Sequence, residues 1–296
     1  MKKRYTVFIT VLMIMIFLPY VNAGFSDFFK RITGRPITEQ TNVSVVVGNV
    51  APVVFNVQSI PAVNLNEGTT KDVIFNFSAR DGNGVADLND ASAFAVFNKT
   101  GEPLRSGSCI LAASTPSDKT YQCNITMQFF DRNGEWTVNA SIRDLGGNYN
   151  ENISTSVNVN LLRAISITPT SIGFPVVAPG GTNILSSQNT SANNNGNYFG
   201  TLDTTAFNLT GETASSERIP AENFRVSGLS GASTACSTGT LLRDRLATTI
   251  LGSNLPRGAF AQENITYCLT IVPSGISTQI YSTRGAGSQA WVISTT

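Results

Sequence analysis

Between Val50 and Asn160 apolar side chains recur at every second residue, a spacing that suits a half-buried strand and not a helix. Residues 71–80 place Val73, Phe75, Phe77 and Ala79 on one face, with Asp72, Asn76, Ser78 and Arg80 on the other. Residues 119–129 alternate in the same way through Tyr121, Cys123, Ile125, Met127 and Phe129. Residues 135–143 do so through Trp136, Val138, Ala140 and Ile142, and residues 152–160 through Ile153, Thr155, Val157 and Val159. One apolar and one polar face per strand is the pattern of antiparallel sheets with a single buried side.

Turn residues separate these runs at Asp81-Gly82-Asn83-Gly84, Asp131-Arg132-Asn133-Gly134 and Asp144-Leu145-Gly146-Gly147-Asn148. The stretch from Asp131 through Gly134-Glu135-Trp136-Thr137-Val138 to Asp144 and Gly147-Asn148, closed by Val157-Asn158-Val159, resembles the last hairpin of immunoglobulin-like and PKD-like surface repeats. The resemblance implies a β-sandwich for the first domain and says almost nothing about function. Trp136 does not lie on a third strand between paired cysteines, so the antibody type is not implied.

A chain of 296 residues has room for a second domain. Short apolar runs at 206–209, 223–226, 264–272 and 290–293 alternate with Gly- and Asn-rich loops such as Asn193 to Asn197. Residues 213–216 and 227–240 read as solvated Ser/Thr loops, and 239–250 is ambiguous. Helical periodicity is not evident in this half, whose pattern resembles β-rich domains of archaeal secreted proteins. The expected fold is therefore all-β: two antiparallel β-sandwich domains of immunoglobulin-like type, at 49–162 and 163–296.

The first 48 residues read differently. Lys2, Lys3 and Arg4 precede an apolar run at 7–21 and the small-residue site Val21-Asn22-Ala23, so residues 1–23 are expected to be a signal peptide or, if uncleaved, a membrane anchor. Phe25, Phe28, Phe29 and Ile32 fall on one helical face, and Gly34 and Pro36 end that helix. Val43, Val45 and Val47 share one face, with Asn42 and Ser44 on the other, and residues 43–47 are expected to form a short strand, able to add to its own sheet or to a neighbour's. Without Lys2, Lys3 and Arg4 the chain carries 17 basic against 19 acidic residues, a balance that attracts neither nucleic acid nor an anionic membrane.

Export fits the sequons at Asn42, Asn76, Asn98, Asn124, Asn139, Asn152, Asn189, Asn208 and Asn264. Four of them, Asn76, Asn124, Asn139 and Asn152, are expected on polar strand faces, where alone a glycan fits. Four cysteines divide two per domain, and disulfides Cys109–Cys123 and Cys236–Cys268 are expected. If residues 109–113 and 119–123 form a hairpin around Pro116, the first pair sits directly opposite across the strands.

The chain has no histidine, which removes the Ser-His-Asp arrangement and histidine-dependent zinc sites. A redox or metal role for the cysteines lacks both a Cys-x-x-Cys spacing and a histidine. Asp81, Asn83, Asp87 and Asp90 offer oxygen ligands around a glycine, as Ca²⁺ requires; the same residues serve ordinary turns. Calcium is the only candidate cofactor. Tyr149, Tyr198, Tyr281 and Trp291 could form a sugar platform, although Trp136 and Trp291 alternate with apolar residues and read as core. The expected role is a structural or assembly protein of an extracellular envelope, its partners other envelope proteins or copies of itself. A glycan- or protein-binding adhesin is the alternative, and a two-carboxylate hydrolase the third.

Overall fold

The computed structural model describes residues 41–229, 232–284 and 289–295; the expected signal peptide and the helix at 25–32 lie outside them. The chain divides after Gly48, and the described residues from Asn49 onward form one compact unit. The strand expected at 43–47 is not formed: the stretch pairs with no described strand, and Val43, Val45, Val46 and Val47 are exposed. β-Branched residues favour a strand only where a ladder partner satisfies the backbone.

In the larger unit, strands β1 (Val53–Phe55), β2 (Lys71–Arg80), β3 (Leu88–Asn98), β4 (Arg105–Ser114), β5 (Lys119–Met127), β6 (Gly134–Asp144) and β7 (Tyr149–Val159) pair antiparallel in the order 1-2-5-4-3-6-7. β4 belongs to two layers. Its first half pairs with β3, from Phe97↔Arg105 to Phe94↔Ser108, and its second half with β5 from Cys109↔Cys123 onward. The ribbon thereby folds over, and Phe75 of β2 stacks on Phe97 of β3 with ring centroids 5.7 Å apart. Val73, Phe75, Phe77, Tyr121, Cys123, Ile125, Met127, Trp136, Val138, Ala140 and Ile142 all lie in the core, as the alternation requires.

β7 departs from the expected phase. Val157 and Val159 are buried, but Ile153 is 60% exposed and Thr155 only half-buried. A bulge between the pairs Val138↔Thr155 and Ala140↔Asn152 inserts one residue and turns the upstream half of β7 over. Asn150 and Asn152 now point inward. Asn150 Oδ1 accepts the Val54 N–H at 3.0 Å, and Asn152 Nδ2 donates to the Val54 carbonyl, so two amides take the place of ladder bonds beside β1.

The remainder contains β8 (Ile165–Thr168), β9 (Thr182–Leu185), β10 (Thr190–Asn194), β11 (Leu202–Thr205), β12 (Leu209–Gly211), β13 (Arg218–Ile219), β14 (Phe224–Ser227), helix α1 (Ala232–Thr238), β15 (Thr240–Leu241), β16 (Ala247–Thr249), β17 (Gln262–Ile271), β18 (Tyr281–Ser282) and β19 (Val292–Thr295). β17 is the spine, flanked by β14 and β10, and small sheets 16-11-19 and 13-12-18 complete a second hydrophobic cluster. Phe224 packs edge-on to Trp291 at 5.1 Å. The helix corrects the reading of 227–240 as solvated loop. Seven residues are too few to be helical alone; the Cys236–Cys268 bridge ties this one to β17.

The loop at Asn193 to Asn197 also proves to be something other than a solvated turn. Asn194 and Asn197 are buried. Asn197 Oδ1 accepts the Leu162 N–H at 2.6 Å, while its Nδ2 donates to the carbonyls of Asp131 and Asn160. A Cβ on Gly196 would lie 2.2 Å from the Leu162 carbonyl oxygen, so this close approach requires glycine. Arg257 completes the junction, forking onto Glu102 at 2.5 and 2.9 Å and donating to the Phe130 carbonyl. The two β-regions are thus joined by buried polar contacts as well as by the chain.

A second network lies at the far edge. Glu217 Oε2 accepts from Ser277 N–H, Ser277 Oγ, Gln279 Nε2 and the Tyr281 hydroxyl, joining the turn before β13 to the segment entering β18. These bonds, those of Ser277 foremost, hold the carboxyl down at about 2. A depressed carboxylate stabilises the fold above its unfolded value near ~4.3, and that contribution is lost as pH falls through the folded value. Glu217→Gln should therefore be less stable than wild type at pH 6, with the gap closing between about pH 4.5 and 2. Denaturation midpoints at several pH values check this; a pH-independent gap would assign Glu217 no charged role.

Candidate functional site

Of the acids singled out from the sequence, Asp81 and Asp87 stay together and Asp90 does not. Asp90 leaves the group: its Oδ1 accepts from Lys119 Nζ at 2.8 Å and from the Tyr121 hydroxyl at 2.6 Å. Burial disfavours its charge, but those bonds outweigh that and hold its carboxyl below the usual range. Asn83 stays exposed, giving its backbone N–H to Asp81 Oδ1 while its side-chain Oδ1 accepts the Val50 N–H. Its place and that of Asp90 are taken by Asp144, from the β6–β7 turn. Carboxylate oxygens of Asp81, Asp87 and Asp144 lie within 4.8 Å of one another.

Pairing far apart in sequence builds this cluster. Leu88 at the start of β3 is registered against Asp144 at the end of β6, which lays the β2–β3 connection beside the β6–β7 turn. The Leu145 N–H then donates to the Asp87 carbonyl at 2.7 Å. Asp144, 1% exposed, is held by the Asn148 N–H on Oδ1 and by Asn49 and Asn148 side chains on Oδ2. Burial acts against its charge, and the Asn148 bonds, with Asn49, outweigh it and keep its pKa low. Asp87 is raised, by desolvation first and then by repulsion from Asp81 and Asp144. No lysine or arginine pairs with any of the three among the described residues.

Both disulfides are present. Cys109 and Cys123 face each other in the register of β4 and β5 with Cα atoms 4.1 Å apart, and Cys236 reaches Cys268 across 5.2 Å. In the loop-entropy view each bridge contributes about 3–4 kcal/mol.

The sequon asparagines differ in what they can offer. Asn42, Asn98, Asn124, Asn189 and Asn264 are exposed. Asn139 Nδ2 donates to Glu151 at 2.7 Å, Asn152 is inverted by the bulge, Asn208 Oδ1 accepts the Ala221 N–H, and Asn76 is half-buried. Of the four expected on polar faces, Asn124 is fully exposed and Asn152 points inward.

The aromatic candidates form no common platform. Tyr198 is buried under Arg163, Tyr149 carries the Arg143 guanidinium at 4.9 Å, Tyr281 serves Glu217, and Trp291 packs on Phe224 and Tyr267. A broad open groove near the end of β3 is polar, and Glu135 is the one carboxylate lining it, beside Lys99 and Arg132. No helix among the described residues is long and apolar enough to cross a membrane. Compared with models of known families and with curated proteins, the chain matches none.

Proposed function

We propose that the chain is an exported, N-glycosylated, non-catalytic protein of a cell surface, in which two β-modules act as a rigid spacer or assembly unit. The observation that carries this reading is the junction at Asn197 and Arg257, which ties together two regions that each have a core and a disulfide. Strand order supports it: β1-β2-β5-β4 against β3-β6-β7 is the ABED/CFG arrangement of immunoglobulin-like sandwiches, a frequent building block of surface proteins. Solvent faces rich in amides and hydroxyls suit an extracellular setting.

Glycopeptide mapping of the native protein tests the export reading. A glycan replaces a hydrogen on Nδ2, so an amide already donating inside the fold is a poor acceptor. Occupancy is expected at Asn42, Asn98, Asn124, Asn189 and Asn264, with Asn139 and Asn152 bare. A wholly unglycosylated chain overturns the reading. Electron microscopy of labelled native cells tests the assembly role, where a regular array is expected and scattered single copies would count against it.

A further inference from the structure

We infer that the Asp81–Asp87–Asp144 cluster is a calcium site that fastens the β2–β3 connection to the β6–β7 turn. Two observations meet there. Three carboxylates, two from the β2–β3 connection and one from the end of β6, converge within 4.8 Å without a basic partner among the described residues. Independently, Asp81 is about nine-tenths buried and its Oδ2 is sealed from solvent with no hydrogen-bond donor.

A buried carboxylate oxygen without a donor is costly, and a bound cation is one of the few things that removes the cost. Like charges so close repel one another, and a bound cation relieves that repulsion. Asp144 is held in place for such a role by amide donors from Asn49 and Asn148. Hard oxygen ligands and irregular loops match Ca²⁺, which takes six to eight oxygens at flexible angles; Mg²⁺ demands a strict octahedron. Loop carbonyls and water would complete the shell. Thiol and imidazole ligands are absent from the cluster, which disfavours zinc and copper.

The test is thermal melting of the full mature chain, stripped with chelator and then scanned with EGTA or with CaCl₂. Saturation a hundredfold above Kd raises the folded-to-unfolded ratio about a hundredfold, a melting shift on the order of 5–10 °C. Asp87→Asn is the informative variant because Asp87 is only half-buried. It should melt at or above wild type in EGTA, where repulsion is relieved, and below wild type in CaCl₂, where the ligand is lost. Asp90→Asn is the control: its lost bonds to Lys119 and Tyr121 lower both melting points, yet the calcium shift remains. A wild type indifferent to calcium, or an Asp87→Asn chain keeping the full shift, overturns the site. Both results are independent of glycosylation and of any surface array.

Discussion

Arg257→Ala should destabilise the chain by about 3–5 kcal/mol at neutral pH, the usual cost of breaking a buried ion pair from one side. Glu102 is the reason. Its side chain is 4% exposed and receives both prongs of the Arg257 fork. Burial opposes its charge, and the bonds and attraction of Arg257 outweigh burial, holding the carboxyl below its ordinary value. Without Arg257 the carboxylate must take up a proton or draw in water, and the Phe130 carbonyl loses its donor. Replacing both partners together, as in Arg257→Met with Glu102→Leu, should cost much less, because no orphaned charge remains. Urea denaturation of the single and double variants measures this; a loss below about 1 kcal/mol for Arg257→Ala would remove the pair from the junction's energetics. In wild type the bridge is complete above Glu's unfolded value near ~4.3 and fails as pH falls through the lowered folded value. Acid should thus loosen the joint between the modules before it melts either core, and small-angle scattering across pH 6 to 3 would follow that.

Trp136→Ala should cost about 3–5 kcal/mol through the cavity it leaves. Trp136 is fully buried on β6 in the first core, and its Nε1 donates to the Arg132 carbonyl at 2.9 Å. Trp136→Phe separates the two contributions. It keeps most of the volume but leaves that carbonyl without its donor, so a loss nearer 1–2 kcal/mol is expected. If alanine and phenylalanine cost the same, the hydrogen bond rather than the packing anchors this side chain. Equilibrium denaturation with tryptophan-independent detection, such as far-UV dichroism, reads both variants.

Alternation alone determined much of the first module. Phe75, Phe77, Tyr121, Ile125, Trp136 and Ile142 are buried because a strand's two faces are set by parity, and the Cys109–Cys123 bridge followed from the same parity across one hairpin. Parity breaks wherever a bulge inserts a residue. No local signal marks the bulge opposite Asn139, so the outward turn of Ile153 and the inward turn of Asn152 belong to the tertiary structure. Residues 43–47 show the converse, a strand-forming composition without a partner. In the second half the short runs shift by a few residues, and α1 owes its position to a disulfide and a packed sheet rather than to its own helix propensity.

The acidic site divides in the same way. Asp81 and Asp87 are neighbours in sequence, and their turn chemistry is legible there. Asp144 joins them only because β3 pairs with β6, and Asp90 leaves because Lys119 and Tyr121 of β5 reach it first. Asn197 reads as a loop residue and Arg257 gives no sequence signal at all, because a side chain's partners are invisible until distant loops are brought together. Local sequence sets which way a side chain points along a strand that no bulge interrupts. Which other charges and amides it meets is settled by strand pairing and burial, and those decide whether a carboxylate serves as a cap, a bridge or a ligand.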